Sequence, residues 1–226
     1  MNNSGVISAI NGSALPAALK GYLGGVLSAK LPFSLREAIK EDPAGFITGV
    51  GGLLAEAGLA LGCAGGKALF LSGFGENNLA PDRLEAALAE MLAVVFLRSE
   101  GFSELNFISR GRGRTADISG ARGGLAYAFE VCSARKEAQD LTIDFLGRKY
   151  DKKIRQAKVS GRKSGLARAG LVLVSGPPAF TGFAPDKRLA ALARGLYESR
   201  NSPAATHICL LARGGAAVFP RWQDRR

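Results

Sequence analysis

The chain has 226 residues, of which 47% are hydrophobic, and its 30 Lys and Arg residues against 19 Asp and Glu residues give a net charge of +11. This length allows one large domain or one domain with a helical appendage, and the basic surplus favours a polyanionic partner, either nucleic acid or an anionic membrane surface. Three scattered cysteines without CxxC spacing argue against a disulfide framework and against a zinc site.

Residues 1–76 are rich in Ala, Gly and Leu, and they predict a small α-helical N-terminal region of unknown function. Helices are predicted from about Pro16 to Leu27, over 35–40, and from Asp42-Pro43 to about Leu61, with loops at 64–67 and 73–78. The apolar stretch 44–61 is marginal in length for the ~20 residues that a membrane span needs. We therefore expect a buried or partner-facing helix, no membrane association, and a possible protein partner bound through residues 1–76.

Residues 77–226 predict a second domain with a regular order of elements, after a boundary near 74–80. Apolar patterning and turn residues predict, in chain order, a helix over 82–100, strands over 104–108, 114–120 and 125–134, a helix over 141–162, a strand over 169–175, a helix over 186–199 and a strand over 207–212, which 216–220 extends or pairs with. A β-meander followed by crossover helices predicts an α/β domain in which a mixed sheet carries helices on both faces.

Two acids, Asp117 and Glu130, fall on strands that we expect to lie side by side, with a glycine-rich turn between them. Hard carboxylate oxygens suit Mg²⁺ or Mn²⁺, which proteins hold by one or two carboxylates together with water and substrate phosphate. Glu90, on the preceding helix, is the candidate third acid. A metal at this position could generate hydroxide and stabilise charge on a scissile phosphodiester. The alternative is a structural acid, with Glu130 paired to Arg135 or Lys136.

Basic residues surround these acids in the sequence. An arginine-glycine link over 109–115 connects two predicted strands, and glycine allows close backbone approach while arginine matches phosphate geometry. A solvated turn on an inert basic surface has the same composition. The candidate residues for holding a nucleic-acid backbone are Arg110, Arg112, Arg114, Arg135, Lys136 and Lys152.

The order of elements and the placement of the acids resemble the PD-(D/E)xK nuclease superfamily, which includes restriction endonucleases and Holliday junction resolvases. The resemblance covers about residues 80–215 and rests on Glu90, on Asp117 in Thr-Ala-Asp-Ile, and on Glu130 in Ala-Phe-Glu-Val-Cys. It implies a restriction-endonuclease-like fold, metal binding by the two strand acids, assistance from the helix acid, and DNA as the substrate. In this family a lysine two residues after the second strand acid orients or activates the attacking water.

That lysine is replaced here by Cys132, which has no positive charge. Lys136 lies four residues further along the strand than Cys132, about 13 Å away in extended chain, which is too far without a bulge. A lysine on the following helix could reach the site instead, and Lys153 or Lys149 is favoured. On the same helix Gln156 resembles a polar residue that some family members present to the site.

The sequence thus predicts a metal-dependent DNA nuclease, or alternatively a degenerate nuclease fold that binds nucleic acid or a protein without cleavage. The unpaired cysteines and the lack of a basic secretory n-region predict a cytoplasmic location. His207, the only histidine, is expected to be structural, and no Gly-x-Ser-x-Gly elbow or P-loop is present. The basic tail 221–226, which includes Trp222, is expected to be loose.

Overall fold

A computed structural model describes residues 3–29, 35–75, 77–80, 82–108, 116–134, 136–163, 168–176 and 182–222, with side chains at all of these positions except 155–163. These residues form a three-layer α/β arrangement, in which one seven-stranded sheet has helices packed on both faces. The predicted fold class, a mixed sheet flanked by helices and preceded by N-terminal helices, is confirmed.

Five helices precede the sheet. They are α1 (Asn3–Gly12), α2 (Ala17–Ser28), α3 (Arg36–Glu41), α4 (Pro43–Leu61) and α5 (Gly65–Leu71). The Asp42 side chain caps α4 by accepting a hydrogen bond from the Gly45 amide at 2.8 Å, and Gly62 ends this helix in the left-handed conformation. The sequence did not predict α1. The predicted loop over 64–67 is wrong, because α5 begins at Gly65, where it packs closely on the backbone of α4.

The remaining elements follow the predicted order. They are α6 (Arg83–Ser99), β1 (Ser103–Phe107), β2 (Ile118–Arg122), β3 (Leu125–Ser133), a 3-10 turn (Ala138–Asp140), α7 (Ile143–Lys163), β4 (Arg168–Val174), β5 (Phe183–Pro185), α8 (Lys187–Ser199), β6 (Thr206–Ala212) and β7 (Gly214–Phe219). The short strand β5 falls where a loop ending at Phe183 was expected. The predicted strand over 216–220 pairs with β6 as the antiparallel strand β7.

The sheet has the strand order β1-β2-β3-β4-β6-β7-β5. Its first three strands form an antiparallel meander, after which β3, β4 and β6 run parallel, joined by crossovers that contain α7 and α8. Antiparallel β7 and the short β5 complete the far edge. Because helices cover both faces of the sheet, the middle of β3 is buried, and its side chains alternate between the two faces.

Each face of the sheet covers its own apolar core. The first core contains α6 and side chains of α1 to α5, packed on Tyr127, Phe129 and Val131 of β3. The second core contains α7 and α8, and Cys132 packs against it. By alternation Glu130 faces the α7 side as well. The first core takes side chains from both sides of the predicted boundary near residue 76, and the division into two domains stays a prediction.

Helix α4 is long and apolar enough to cross a membrane by length and composition, and 33% of its most apolar window is buried inside the protein. Its buried residues pack into the first core, and it contacts α6. Core helices of soluble proteins pass the same test, so one such helix is weak evidence for a membrane span. The absence of membrane association stays a prediction.

Candidate active site

Asp117 is fixed at the point where β2 begins. Its amide donates a hydrogen bond to the carbonyl of Phe129 at 2.9 Å, and its side-chain Oδ2 accepts one from the amide of Val131 at 2.8 Å. The carboxylate therefore continues the β2–β3 ladder in place of a backbone carbonyl. A carboxylate can accept about four hydrogen bonds or metal contacts in total, so this contact orients Asp117 without using all of its capacity.

Glu130 lies in the middle of β3, and its side chain is only 1% exposed. Lys153 of α7 reaches it, with Nζ at 2.5 Å from Glu130 Oε1, and keeps a quarter of its own side chain exposed. The helix that crosses from β3 to β4 packs over both strands, which explains why a side chain ten residues into α7 arrives above β3. A buried carboxylate is stable when it is paired and hydrogen-bonded in this way.

The charge state of Lys153 follows from its surroundings. Burial lowers the pKa of the ammonium group, but the hydrogen bond to Glu130 and the negative charges of Glu130 and Asp117 outweigh burial, so that the pKa of Lys153 is raised. Lys153 therefore stays protonated at neutral and moderately alkaline pH. It can donate hydrogen bonds to a water or a phosphate oxygen, but it cannot accept a proton as a general base.

Cys132 lies two residues after Glu130 on the same face of β3. Burial raises the pKa of its thiol, the charges of Glu130 and Asp117 raise it further, and the charges of Lys149 and Lys153 act in the opposite direction. The net shift is upward, so the thiol is neutral at pH 7. The same electrostatic contacts show that two acids, two lysines and this thiol share one small region between β3 and α7.

The other predicted site residues are distributed as follows. Lys136 is exposed, with its Nζ 4.8 Å from the ring centre of Phe145, and Lys149 lies 5.7 Å from the same centre. Lys152 is exposed on α7, and Gln156 lies on that helix with its side chain outside the described part. The four predicted phosphate-binding arginines, Arg110, Arg112, Arg114 and Arg135, lie outside the described residues.

Glu90 lies on α6, which packs against the first core on the opposite face of the sheet from α7, and only 5% of this residue is exposed. In the described part of the chain, no group of three or more His, Cys, Asp or Glu residues is arranged to hold a metal ion. Glu90 is thus not gathered with Asp117 and Glu130 into a three-acid site there. Its assisting role stays a prediction.

The residues present fit a divalent hard cation that uses few protein ligands. Asp117 and Glu130 offer carboxylate oxygens at neighbouring positions of β2 and β3, and Mg²⁺ is commonly held by one or two carboxylates, with waters and substrate phosphate completing its shell. The neutral thiol of Cys132 is a poor ligand for such a cation, because thiolates bind softer metals. These two acids are the residues that would hold Mg²⁺ or Mn²⁺.

Trp222 is packed against the protein, contrary to the expectation that it belongs to a loose tail. The Trp222 ring packs edge-on against Phe102 with centroids 4.9 Å apart, and its Nε1 donates a hydrogen bond to Glu100 Oε2 at 2.6 Å. His207 lies beside it, and its Nδ1 donates to the carbonyl of Pro220 at 2.9 Å. Burial lowers the pKa of His207, the hydrogen bond to Pro220 opposes this shift, and nearby arginine charges add to it. Its structural role stays a prediction.

No protein-family model, no curated protein and no solved structure matches this chain. The functional assignment therefore rests on the arrangement of its own residues.

Proposed function

We propose that the chain is a metal-dependent nuclease of the PD-(D/E)xK superfamily that hydrolyses DNA. The observation that carries the proposal is the contact of Lys153 Nζ with Glu130 Oε1 at 2.5 Å, beside Asp117. It supplies from α7 the ammonium group that the motif normally supplies from the strand, at the position where Cys132 leaves a gap. The mixed sheet, with two acids on adjacent strands and a crossover helix above them, gives further support.

Each residue then has a defined task. Asp117 and Glu130 would hold Mg²⁺ or Mn²⁺, which when bound supplies an activated water and neutralises charge on the phosphodiester. Lys153 would donate hydrogen bonds to the attacking water or to a non-bridging phosphate oxygen, because its ammonium group lies beside the two acids and carries only N–H donors. The hydrogen bond from the Val131 amide holds the Asp117 carboxylate in one orientation, which is the preorganisation that such a site needs.

The contact between Lys153 and Glu130 also allows a second function, in which it has no part in chemistry. If Lys153 serves only to neutralise buried Glu130, the site is a structural ion pair, and the domain binds nucleic acid or a protein partner without cutting. Cys132 at the motif-lysine position and the lack of a three-acid group among the described residues support this alternative.

Cleavage assays separate the two. We expect the purified protein to cut plasmid, linear or branched DNA with Mg²⁺ or Mn²⁺ and to be inactive in EDTA. Asp117→Asn and Glu130→Gln remove charge from the acids that would hold the metal and should abolish cutting. Lys153→Met keeps the length of the side chain but removes the ammonium, and it should lower kcat by about 10²-fold or more, the usual effect of losing one charge-stabilising donor.

The matched control is Lys67→Met, which removes the same charge from an exposed position on α5 and should leave the rate unchanged. Removing one partner of a buried ion pair is itself destabilising. Circular dichroism therefore has to show that every variant keeps the native fold before its cleavage rate is compared. Folded wild-type protein that binds DNA but never cuts it, with any divalent metal, would contradict the nuclease and leave the binding function.

A further inference from the structure

The ring of Phe145 gathers two lysine side chains that come from different parts of the chain. Lys136 reaches it from the segment after β3, at 4.8 Å from the ring centre, and Lys149 reaches it from the next turn of α7, at 5.7 Å. No carboxylate pairs with either ammonium group among the described residues. Two like charges are thus held around one half-buried ring, and no carboxylate in the described part of the chain is paired with either of them.

This arrangement suits an anionic ligand. An ammonium over an aromatic face is held by the ring quadrupole, and its remaining N–H donors stay available. Two such groups around one ring repel each other, and a phosphate that contacts both would relieve that repulsion. Lys153 and Lys40, by contrast, already have carboxylate partners, in Glu130 and Glu37.

The pair is also aligned with the candidate active site. Phe145, Lys149 and Lys153 are spaced four residues apart on α7, so they lie along one face of the helix at intervals of about 6 Å, from a rise of about 1.5 Å per residue. Lys153 contacts Glu130, and the charges of Lys149 and Lys153 both act on Cys132. The row of cations therefore runs from the two acids to Lys136 without a break.

We propose that Lys136, Phe145 and Lys149 form a binding site for the backbone phosphate that flanks the scissile one, so that the DNA strand follows the start of α7. Lys149 is then a binding residue, and the chemistry is left to Lys153. That the bound phosphate lies next to a scissile one rests on the proposed nuclease function. That these three residues bind DNA does not depend on cleavage.

The test measures DNA binding in EDTA, so that cleavage plays no part. Fluorescence anisotropy with a labelled duplex and a labelled single strand, at several salt concentrations, gives the affinity and the slope of log K against log[salt]. Lys136→Ala and Lys149→Ala should each weaken binding and reduce the slope, and the double variant should reduce the slope by about 0.7 to 0.9, the contribution of one neutralised phosphate. Phe145→Leu should weaken binding with little change in slope, because both charges remain.

Lys67→Ala is the control for net charge and should change neither quantity. Because both lysines hold one phosphate, the double variant should lose less affinity than the sum of the two single variants. Inorganic phosphate at constant ionic strength should not displace the DNA; displacement would mean that the site takes a free anion. Unchanged slopes in both lysine variants, or no binding of DNA by the wild type, would overturn the proposal.

The two proposals fail separately. Reduced slopes in the lysine variants, with no cutting in any metal, would keep the phosphate site and reject the nuclease. Metal-dependent cutting with unaltered slopes would keep the nuclease and place the DNA strand elsewhere on the surface.

Discussion

At the scale of single residues, Cys132 is the position at which the chain departs from the pattern of the proposed nuclease site. It occupies the place of the motif lysine, yet its neutral thiol lies within the electrostatic reach of Lys149 and Lys153 from α7. A lysine at position 132 would bring a third ammonium into a partly buried region that already contains two. A neutral side chain at position 132 therefore suits a site whose ammonium group comes from α7.

If one ammonium group beside Glu130 is sufficient, it should be possible to move that group from position 153 to position 132. Lys153→Met should lower the cleavage rate, and adding Cys132→Lys should restore part of it, because the new ammonium would extend from β3 on the face that carries Glu130. Cys132→Lys alone should not raise the rate above wild type, since like charges would then meet beside Glu130. Single-turnover cleavage of the four proteins checks this.

Cys132→Ser serves as the control for loss of the thiol and should cut within about threefold of wild type, as the thiol has no assigned part in the chemistry. A rate in the double variant no higher than in Lys153→Met would contradict the exchange and show that the position of the ammonium on α7 matters in itself.

Part of the site could be foreseen from the sequence. Asp117 and Glu130 could be placed together because a hairpin fixes the register of its two strands, and a side chain of α7 was expected to replace the missing lysine. The choice between Lys149 and Lys153 depends on the rotation of α7 about its axis and on how far along β3 the crossover helix lies. The ring of Phe145 gave no signal, because an aromatic residue at the start of an amphipathic helix usually packs into a core.

At the scale of elements, the packing of β3 against β4 depends on a glycine that leaves room for an aromatic ring. Gly170 of β4 pairs with Phe129 of β3, and a Cβ atom at position 170 would lie 2.2 Å from Cδ1 of the Phe129 ring. That ring cannot move away easily, because it is fully buried and packs against Phe102 and stacks on Tyr127. The close approach of the ring to β4 therefore requires glycine.

Gly170→Ala should accordingly destabilise the protein by about 1 to 3 kcal/mol, the usual cost of overpacking a core. Urea unfolding followed by circular dichroism measures it. Gly52→Ala is the opposite case, because a Cβ there meets nothing within 4 Å and the position is exposed inside α4. It should stabilise the protein by about 0.5 to 1 kcal/mol through helix propensity, and equal effects of the two substitutions would contradict this account.

Elements were foreseen where periodicity and flanking signals agreed, as for α4, α6 and the buried strands β4 and β6. Two of the failures, at α5 and β5, have a common cause. α5 begins with two glycines and β5 has three residues, and both form because neighbouring elements hold them: α5 packs on α4, and β5 pairs with the edge strand β7. Tertiary contacts of this kind override local propensity.

At the scale of the whole molecule, Tyr22 joins α2 to the segment that leads from α5 to α6. It lies on α2, is fully buried, packs edge-on against Phe74, and donates a hydrogen bond from its hydroxyl to the carbonyl of Ala80 at 3.2 Å. Burial raises the pKa of Tyr22 to about 12, and the charge of Glu85 adds to the shift. Ionising this phenol in the folded protein is therefore costly.

The sign of the resulting pH dependence follows from the raised pKa. The neutral phenol stabilises the fold fully below the unfolded pKa of ~10, and this stability is lost as the pH rises towards 12, by about 2 kcal/mol at 1.36 kcal/mol per pKa unit. Tyr22→Phe removes the hydrogen bond and should lower the free energy of unfolding by about 1 kcal/mol at pH 7. Between pH 10 and 12, however, the free energy of unfolding of this variant should fall less than that of the wild type. Urea unfolding from pH 7 to pH 12 measures both, and parallel curves for the two proteins would contradict the prediction.

Trp222 gives the protein an optical signal of its own. The sequence contains one tryptophan, and its partly buried indole packs against Phe102, Tyr127 and His207 while Nε1 donates a hydrogen bond to Glu100, just after α6. Its emission therefore reports one place, where the C-terminal segment, the end of α6 and strands β3 and β6 meet. Compared with the helical circular dichroism signal, to which α1 to α5 also contribute, this emission distinguishes opening of the sheet layer from melting of the N-terminal helices, without any added dye or label.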